Sequence, residues 1–219
     1  MNKTEVIFWL LETAATGKVP LSLIGLSDQE LVSQWNKKPH GVSSERVGDI
    51  LWFLFQQKDV CFVDKCGHPA SPTQLELGAE IVRRGWAKDS MCYGLTPQGG
   101  SRWEALAAPN WNHFFDGTWI SEEELAIETR TKVNLHRVLR YGAEYWNKVI
   151  DLKSLSCEVV RPWQATYWKT FPRAILAHVK CREVLDQEIQ MRYGNWTPEE
   201  VKDHHQFLHA QLYCWYQMP

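Results

Sequence analysis

The chain has 219 residues, of which 44% are hydrophobic and 23% are charged. This composition is typical of a globular protein and excludes a disordered, collagen-like or low-complexity chain. The length predicts one large domain or two small ones, with enough residues to bury a core. A formal charge of −2 excludes a protein that is strongly basic as a whole, the usual property of a nucleic-acid binder. The unusual feature of the composition is its high tryptophan content, with 12 tryptophans in the chain.

The start of the chain and its cysteines bear on the compartment. A short apolar run lies between Glu5 and Glu12, which is more typical of an amphipathic helix than of a signal peptide. No apolar stretch approaches the ~20 residues of a membrane-spanning helix. The six cysteines are spread evenly along the chain, which favours free and mostly buried thiols in a reducing compartment. We therefore predict a cytoplasmic protein with no membrane segment.

Capping signals predict the helices of the N-terminal half. Ser27 with Glu30 forms a capping box and Ser43 can cap the following helix. The segment Ser71-Pro72-Thr73-Gln74 is another start signal, with Pro at the first helical position and Gln at the third. Alternating apolar residues predict a strand over 59–63, and short strands are expected at 86–87 and 92–95. The predicted helices cover 28–36, 43–57, 73–84 and 97–106.

This order of elements, with the segment Tyr93-Gly94-Leu95-Thr96-Pro97-Gln98-Gly99-Gly100 at the junction of the last strand and helix, resembles a winged-helix domain. The resemblance covers residues 45–107, less than a third of the chain. It implies a possible DNA-binding regulator whose recognition helix is 73–84. The DNA contacts that it implies are Gln74, Arg83, Arg84 and the wing residue Lys88.

The charge distribution argues against DNA as the partner of this domain. The proposed recognition helix also carries Glu76 and Glu80, which would face phosphates. Residues 1–118 contain 11 Lys and Arg against 13 Asp and Glu, so this half offers no basic surface. We therefore favour a winged-helix-like module that makes protein contacts, and keep the DNA-binding regulator as the alternative.

The C-terminal half is predicted to mix helices and strands. Helix-breaking residues flank an aromatic segment at 109–117, which is interpreted as a linker. Beyond it, Thr197 and Pro198 give the clearest helix start in the chain. The predicted elements are strands over 126–132, 160–169 and 173–181 and helices over 133–148 and 198–216. The predicted fold is α+β, with a winged-helix-like domain over 1–108 and a smaller α+β domain over 119–219.

The segment Arg161–Lys169 is the strongest candidate for an interface. If it is one strand, Trp163 and Trp168 lie on opposite faces, and a sheet covered on one side cannot bury both. Exposed Trp, Tyr and Arg residues are typical anchors of protein interfaces. The predicted interface residues are Arg161, Trp163, Tyr167, Trp168 and Lys169.

Other candidate sites are weaker. His205 and His209 are four residues apart on the last helix and could share a metal, but the residues around them do not match a zinc-protease motif. A second possible metal set is Cys61, Cys66, His68 and Cys92, although it lacks the close Cys-x-x-Cys pairs of common zinc sites. The sequence has no nucleophile elbow, dinucleotide fingerprint or phosphate-binding loop.

These observations predict no catalytic residue, no metal and no cofactor. The leading interpretation is a non-enzymatic, cytoplasmic protein-interaction module of bacterial type, whose length and mild acidity fit an immunity or antidote protein. The alternatives are the winged-helix regulator and an enzyme without a recognisable motif.

Overall fold

The computed structural model describes residues 2–35, 39–83 and 90–216 of the chain. Helices and antiparallel sheets are both prominent, so the predicted α+β class is confirmed. Contacts divide the described residues into two compact units. Of the described residues, the first unit contains 2–35, 39–83, 90–107 and the separate segment Thr166–Lys169, and the second contains 108–165 and 170–216.

The first unit combines short helices with a small sheet. Its helices are α1 (Lys3–Thr13), α2 (Leu21–Ile24), α3 (Asp28–Trp35), α4 (Ser44–Gln56), α5 (Gln74–Val82) and α6 (Pro97–Ala107). Its strands are β1 (Val19–Pro20), β2 (Val60–Val63), β3 (Pro69–Ala70) and β4 (Cys92–Leu95). They form an antiparallel sheet in the order β1-β4-β2-β3.

Side-chain caps fix the starts of the helices that the sequence predicts. The Ser43 hydroxyl accepts a hydrogen bond from the backbone N–H of Arg46, and α4 begins at the next residue. At α5, Thr73 and Glu76 form a reciprocal capping box. The Ser43 cap is as predicted, whereas α5 is capped by Thr73 and begins two residues after Pro72, the predicted first position. Both caps satisfy unpaired N–H groups of a first turn.

Strand β4 lies inside its sheet and pairs with both β1 and β2. The wing hairpin expected from the sequence requires a partner strand at 86–87, and these residues lie outside the described part of the chain. The winged-helix resemblance therefore stays a prediction.

Two glycines at the start of α6 allow close packing in the first unit. A Cβ on Gly99 would lie 1.8 Å from the carbonyl oxygen of Asp59, and one on Gly100 would lie 2.0 Å from the ring of Trp168. The core of the first unit includes Leu51, Phe62 and Trp103, which are at most 1% exposed. The glycine pair of the sequence motif is thus explained by contact between neighbouring elements.

The second unit is a four-stranded antiparallel sheet with helices. Its long strands are β5 (Phe115–Ser121), β6 (Glu124–Thr129), β7 (Lys148–Val160) and β10 (Ala174–Glu183), and a small hairpin contains β8 (Trp163–Gln164) and β9 (Thr170–Phe171). Its helices are α7 (Lys132–Tyr145), α8 (Asp186–Tyr193) and α9 (Pro198–Tyr213). The sheet order is β5-β6-β10-β7. One face packs on α7 and α9 through a core that includes Ile127, Val138, Ala177 and Leu212.

The segment predicted as a linker belongs to the second unit. Trp111 and Phe114 are 8% and 7% exposed, and both rings contact Trp215, with centroids 4.9 and 4.7 Å from its ring. The backbone N–H of Asn110 also donates to the Trp215 carbonyl at 2.7 Å. The linker interpretation is therefore wrong. Aromatic side chains are costly to expose to water, and those of this segment pack against Trp215, which lies far along the chain.

The strand predicted over 160–169 is also wrong. Strand β7 ends at Val160, β8 has only two residues, and Thr166 and Lys169 exchange backbone hydrogen bonds of 3.2 and 3.3 Å across a tight turn. Alternation of side chains therefore does not extend along this segment.

Most cysteines are not buried, contrary to the prediction. Only Cys181 is buried, whereas Cys66, Cys157 and Cys214 are exposed.

None of the helices in the described ranges combines the length and apolar character needed to cross a lipid bilayer.

Candidate functional site

The predicted interface residues lie in different surroundings. Arg161 is exposed, while Trp163 is 1% exposed and donates from its indole N–H to Glu128 at 3.0 Å within the second unit. Trp163 also stacks on Phe171 at 5.7 Å. A fully buried indole with an internal hydrogen bond is a packing residue of its own unit.

Tyr167, Trp168 and Lys169 are half-buried members of the first unit. The Tyr167 hydroxyl donates to the Ala14 carbonyl at 2.7 Å, and the Trp168 indole N–H donates to the Ala15 carbonyl at 2.8 Å. Lys169 forms an ion pair with Glu104 at 2.6 Å. The polar groups that a partner would contact are therefore engaged inside this unit, and a role for these residues in an interface stays a prediction.

The residues implied in DNA contact are likewise paired with acidic groups where they are described. The Gln74 amide donates to Asp49 at 2.8 Å, and Arg83 pairs with Glu80 at 3.2 Å. Arg84 and Lys88 lie outside the described residues.

The histidines of α9 make aromatic contacts. The His205 ring stacks on Tyr145 at 4.6 Å, and the His209 ring lies 5.9 Å from the same tyrosine. His204 pairs with Glu144 at 2.9 Å, and the Tyr193 hydroxyl donates to the same carboxylate oxygen at 2.8 Å. Within the described ranges, no group of three potential metal ligands includes these histidines.

Strand β5 is an edge strand with little protection. It pairs with β6 in regular register from Phe115 to Trp119, and no strand of the described residues pairs with its other side. In an antiparallel pair, about half of the edge strand's backbone N–H and C=O groups point away from the sheet. Asp116 is the only charged residue of β5, and every residue after Phe115 is exposed.

The opposite edge of the same sheet has the features that normally block pairing. Strand β7 carries Lys148, Asp151, Lys153 and Glu158, and its register with β10 is interrupted between His178 and Lys180. Charged side chains and bulges are the usual ways in which proteins prevent a strand from pairing at an edge. The β5–β6 register is also interrupted, between Trp119 and Ser121, so the difference between the two edges is one of charge: β7 carries four charged residues and β5 carries one.

An open cleft of about 460 Å³ lies beside the end of β5. Its lining residues are Trp119, Ser121, Glu122, Trp146 and Lys148. The two indole rings are 5.8 Å apart and nearly perpendicular, at 80°. Trp119 is 41% exposed, so one large aromatic surface of the cleft faces solvent.

Lys148 forms the polar wall of this cleft. Its ammonium group pairs with Glu183, donates to the Glu122 carbonyl at 3.2 Å and lies 5.2 Å from the centre of the Trp119 ring. The side chain is only 11% exposed. Lys148 therefore holds the cleft in shape, and its charge is already compensated.

No family model matches the chain, and neither a curated protein nor a solved structure is significantly similar to it. The residues themselves must carry the functional argument.

Neither β5 nor the cleft is predicted from the sequence. Trp119 lies in a segment with too few apolar residues to stand out as a strand, and Trp146 lies at the end of a predicted helix. The available signal is Trp119 and Trp146, two of the 12 tryptophans, but only the folded arrangement, in which their rings are 5.8 Å apart, shows that they meet.

Proposed function

We propose that the protein is a cytoplasmic protein-interaction module that binds an extended segment of a partner protein by strand addition to β5. The observation that carries this proposal is the largely uncharged edge of β5, which pairs regularly with β6 over residues 115–119, whereas the opposite edge of the sheet carries four charged residues. An added strand would satisfy the outward backbone groups of β5, which gives affinity, while side-chain pockets give specificity.

The one charged residue of β5, Asp116, indicates a basic residue in the partner. Asp116 lies directly opposite Glu128 in the β5–β6 register, and like charges in this position are destabilising. Glu128 accepts a hydrogen bond from Trp163, but no hydrogen bond or ion pair reaches Asp116 from the described residues. A Lys or Arg opposite Asp116 on an added strand would relieve the repulsion.

The cleft indicates an aromatic or β-branched residue in the same partner segment. Trp119 lies three residues after Asp116 and on the other face of β5. Aromatic and β-branched side chains make the most favourable cross-strand contacts with an aromatic residue. The proposed ligand is therefore an extended segment with a basic residue and an aromatic or β-branched residue three positions apart.

Selection from a displayed random-peptide library on the full chain tests this proposal. The selected peptides are expected to share that spacing, and bound peptide should slow hydrogen exchange of the backbone amides in 115–119. Trp119→Ala and Asp116→Lys should each weaken binding by about tenfold or more, as loss of an interface anchor does.

Matched controls come from the protected edge. Leu152→Ala and Glu158→Lys change exposed residues of β7 and should leave peptide affinity unchanged. Thermal unfolding of each variant shows that the fold is retained. Peptides that bind Trp119→Ala and Asp116→Lys as well as the unmodified chain, or a β5 edge that is protected only by self-association, would overturn the proposal.

A further inference from the structure

The turn between β2 and β3 brings three different metal-binding groups together. It runs from Asp64 to His68, between the paired residues Val63 and Pro69. The backbone N–H of Asp64 donates to the His68 carbonyl at 2.8 Å, and Gly67 has a φ of +84°. Glycine adopts this left-handed conformation without strain, and here it allows the tight turn between the two strands.

The donor atoms are close enough to bind one ion. The ligand atoms of Asp64, Cys66 and His68 all lie within 4.8 Å of one another. The Asp64 Oδ2 and His68 Nδ1 atoms are 3.4 Å apart. Two such ligands about 2.0–2.1 Å from a tetrahedral zinc ion would be separated by roughly 3.3 Å, so this pair already has suitable spacing.

The backbone holds the carboxylate in position for such a role. The other Asp64 oxygen, Oδ1, accepts hydrogen bonds from the N–H groups of Cys66 at 2.8 Å and His68 at 2.9 Å. This leaves Oδ2 directed towards the imidazole. Hydrogen bonds to a ligating carboxylate commonly orient metal sites, and here they come from the backbone of the other two ligands.

The types of donor select the class of metal. A thiolate and an imidazole favour a borderline or soft transition metal and disfavour Mg²⁺ and Ca²⁺, which prefer oxygen ligands alone. Cys66 and His68 are exposed, so solvent can supply the fourth ligand. We infer that Asp64, Cys66 and His68 form a binding site for Zn²⁺ or a similar divalent ion, with one coordination position open to water.

The cluster contains only two of the four metal ligands suggested by the sequence. Cys66 and His68 belong to the cluster, but Cys61 and Cys92 do not, because they lie on β2 and β4. Asp64 is the ligand that a search for cysteine pairs overlooks.

Titration of the full, reduced chain with Co²⁺ tests the site. One equivalent should produce a sulfur-to-cobalt charge-transfer band and the intense visible bands of a four-coordinate ion. Added Zn²⁺ should displace the cobalt and abolish both signals, because zinc binds such ligands more tightly than cobalt.

Single substitutions identify the ligands. Cys66→Ser should abolish the charge-transfer band, and His68→Gln should lower metal affinity by at least about tenfold. Asp64→Asn is the sharpest variant, because the amide oxygen can still accept the two backbone hydrogen bonds while the anionic ligand is lost. Its metal affinity should fall similarly while the fold is retained, which thermal unfolding checks.

Control variants use exposed residues elsewhere. Cys157→Ser, Cys214→Ser and His113→Gln should retain the complete cobalt signal. The inference fails if no charge-transfer band forms, if the band survives in Cys66→Ser, or if Asp64→Asn and His68→Gln bind cobalt as tightly as the unmodified chain.

Discussion

Asp59 and Arg102 form the most deeply placed ion pair described in the first unit. The Asp59 side chain is 2% exposed, and the Arg102 guanidinium, which is 37% exposed, contacts its carboxylate directly. The Gln98 amide lies 3.5 Å from the other carboxylate oxygen. A buried carboxylate needs such partners because removing a charge from water is costly. The arginine therefore contributes to folding through the group that it neutralises.

We expect Arg102→Met to destabilise the protein by about 3 kcal/mol, because the buried Asp59 carboxylate loses its cation. Denaturant unfolding followed by circular dichroism measures this change. Arg83→Met removes the exposed Arg83–Glu80 pair and should cost less than about 1 kcal/mol. Equal losses of unfolding free energy in the two variants would show that the Asp59–Arg102 pair stabilises the fold no more than an exposed pair does.

Gly100 provides a second test at a single position. We expect Gly100→Ala to destabilise the protein by about 1–3 kcal/mol, because the new methyl group would overlap the Trp168 ring. Gly78→Ala in α5 is the matched control. Nothing lies within 4 Å of a Cβ there, so this change should be neutral or stabilise by up to about 1 kcal/mol. Thermal unfolding of both variants decides whether the Gly100 contact is as close as described.

At the level of whole elements, α8 is held at its start by one carboxylate. Glu188 accepts the backbone N–H of Leu185 at 2.8 Å, and Arg182 binds both of its oxygens at 2.8 Å. The Arg182 hydrogen bonds, followed by the Leu185 N–H, lower the pKa of Glu188 to about 2. Because this value lies below the ordinary 4.5, the interaction favours the folded form above pH 4.5. Its contribution is lost as the pH falls through about 2.

The titration of Glu188 by NMR tests this arrangement. Its midpoint should lie near pH 2 in the unmodified chain and return towards 4.5 in Arg182→Gln. Arg192→Gln is the control, because Arg192 has the smallest effect of the groups that lower this pKa. A normal midpoint in the unmodified chain would mean that Arg182 does not hold the carboxylate in solution.

Elements with local start signals are predicted well from the sequence. The helices that follow Ser43 and Thr197 begin where their caps indicate. Helix α5 begins two residues later than its start signal predicts, because Thr73 caps it. By contrast, α8 is missed because Leu185 offers no side-chain cap. Strand β5 is missed because it forms through pairing with β6, and a local sequence pattern does not show that pairing.

The candidate site was less accessible to prediction for the same reason. The Arg161–Lys169 segment attracts attention through its aromatic content, yet Trp163 and Trp168 are fixed by hydrogen bonds to Glu128 and Ala15, far away in the sequence. The edge of β5 is defined by the absence of a neighbouring strand among the described residues, and no residue type encodes that property.

Over the whole molecule, acidic and basic residues are nearly balanced. The formal charge is −2, and residues 119–219 contain 13 Lys and Arg against 13 Asp and Glu. Many of the described cations are also paired, including Lys148 with Glu183 and Arg182 with Glu188. Such a surface provides little attraction for a polyanion.

We therefore expect no binding of duplex DNA. A gel-shift assay with random genomic fragments at physiological salt should show no complex at micromolar protein. A complex whose affinity falls steeply with salt would contradict this expectation, because that dependence counts the phosphate contacts made. It would also restore the regulator alternative raised by the winged-helix resemblance.

The contact between Gly100 and Trp168 has a consequence for how the sequence can vary. The ring occupies the volume that any side chain at position 100 would need. A change at one position alone leaves an overlap or a void, so the two positions are expected to covary among related chains. Glycine at 100 should accompany a large ring at 168, and a small residue at 168 should release that requirement. In such sequences, a Gly-Gly pair after Thr-Pro-Gln would predict a large aromatic residue at the position of Trp168.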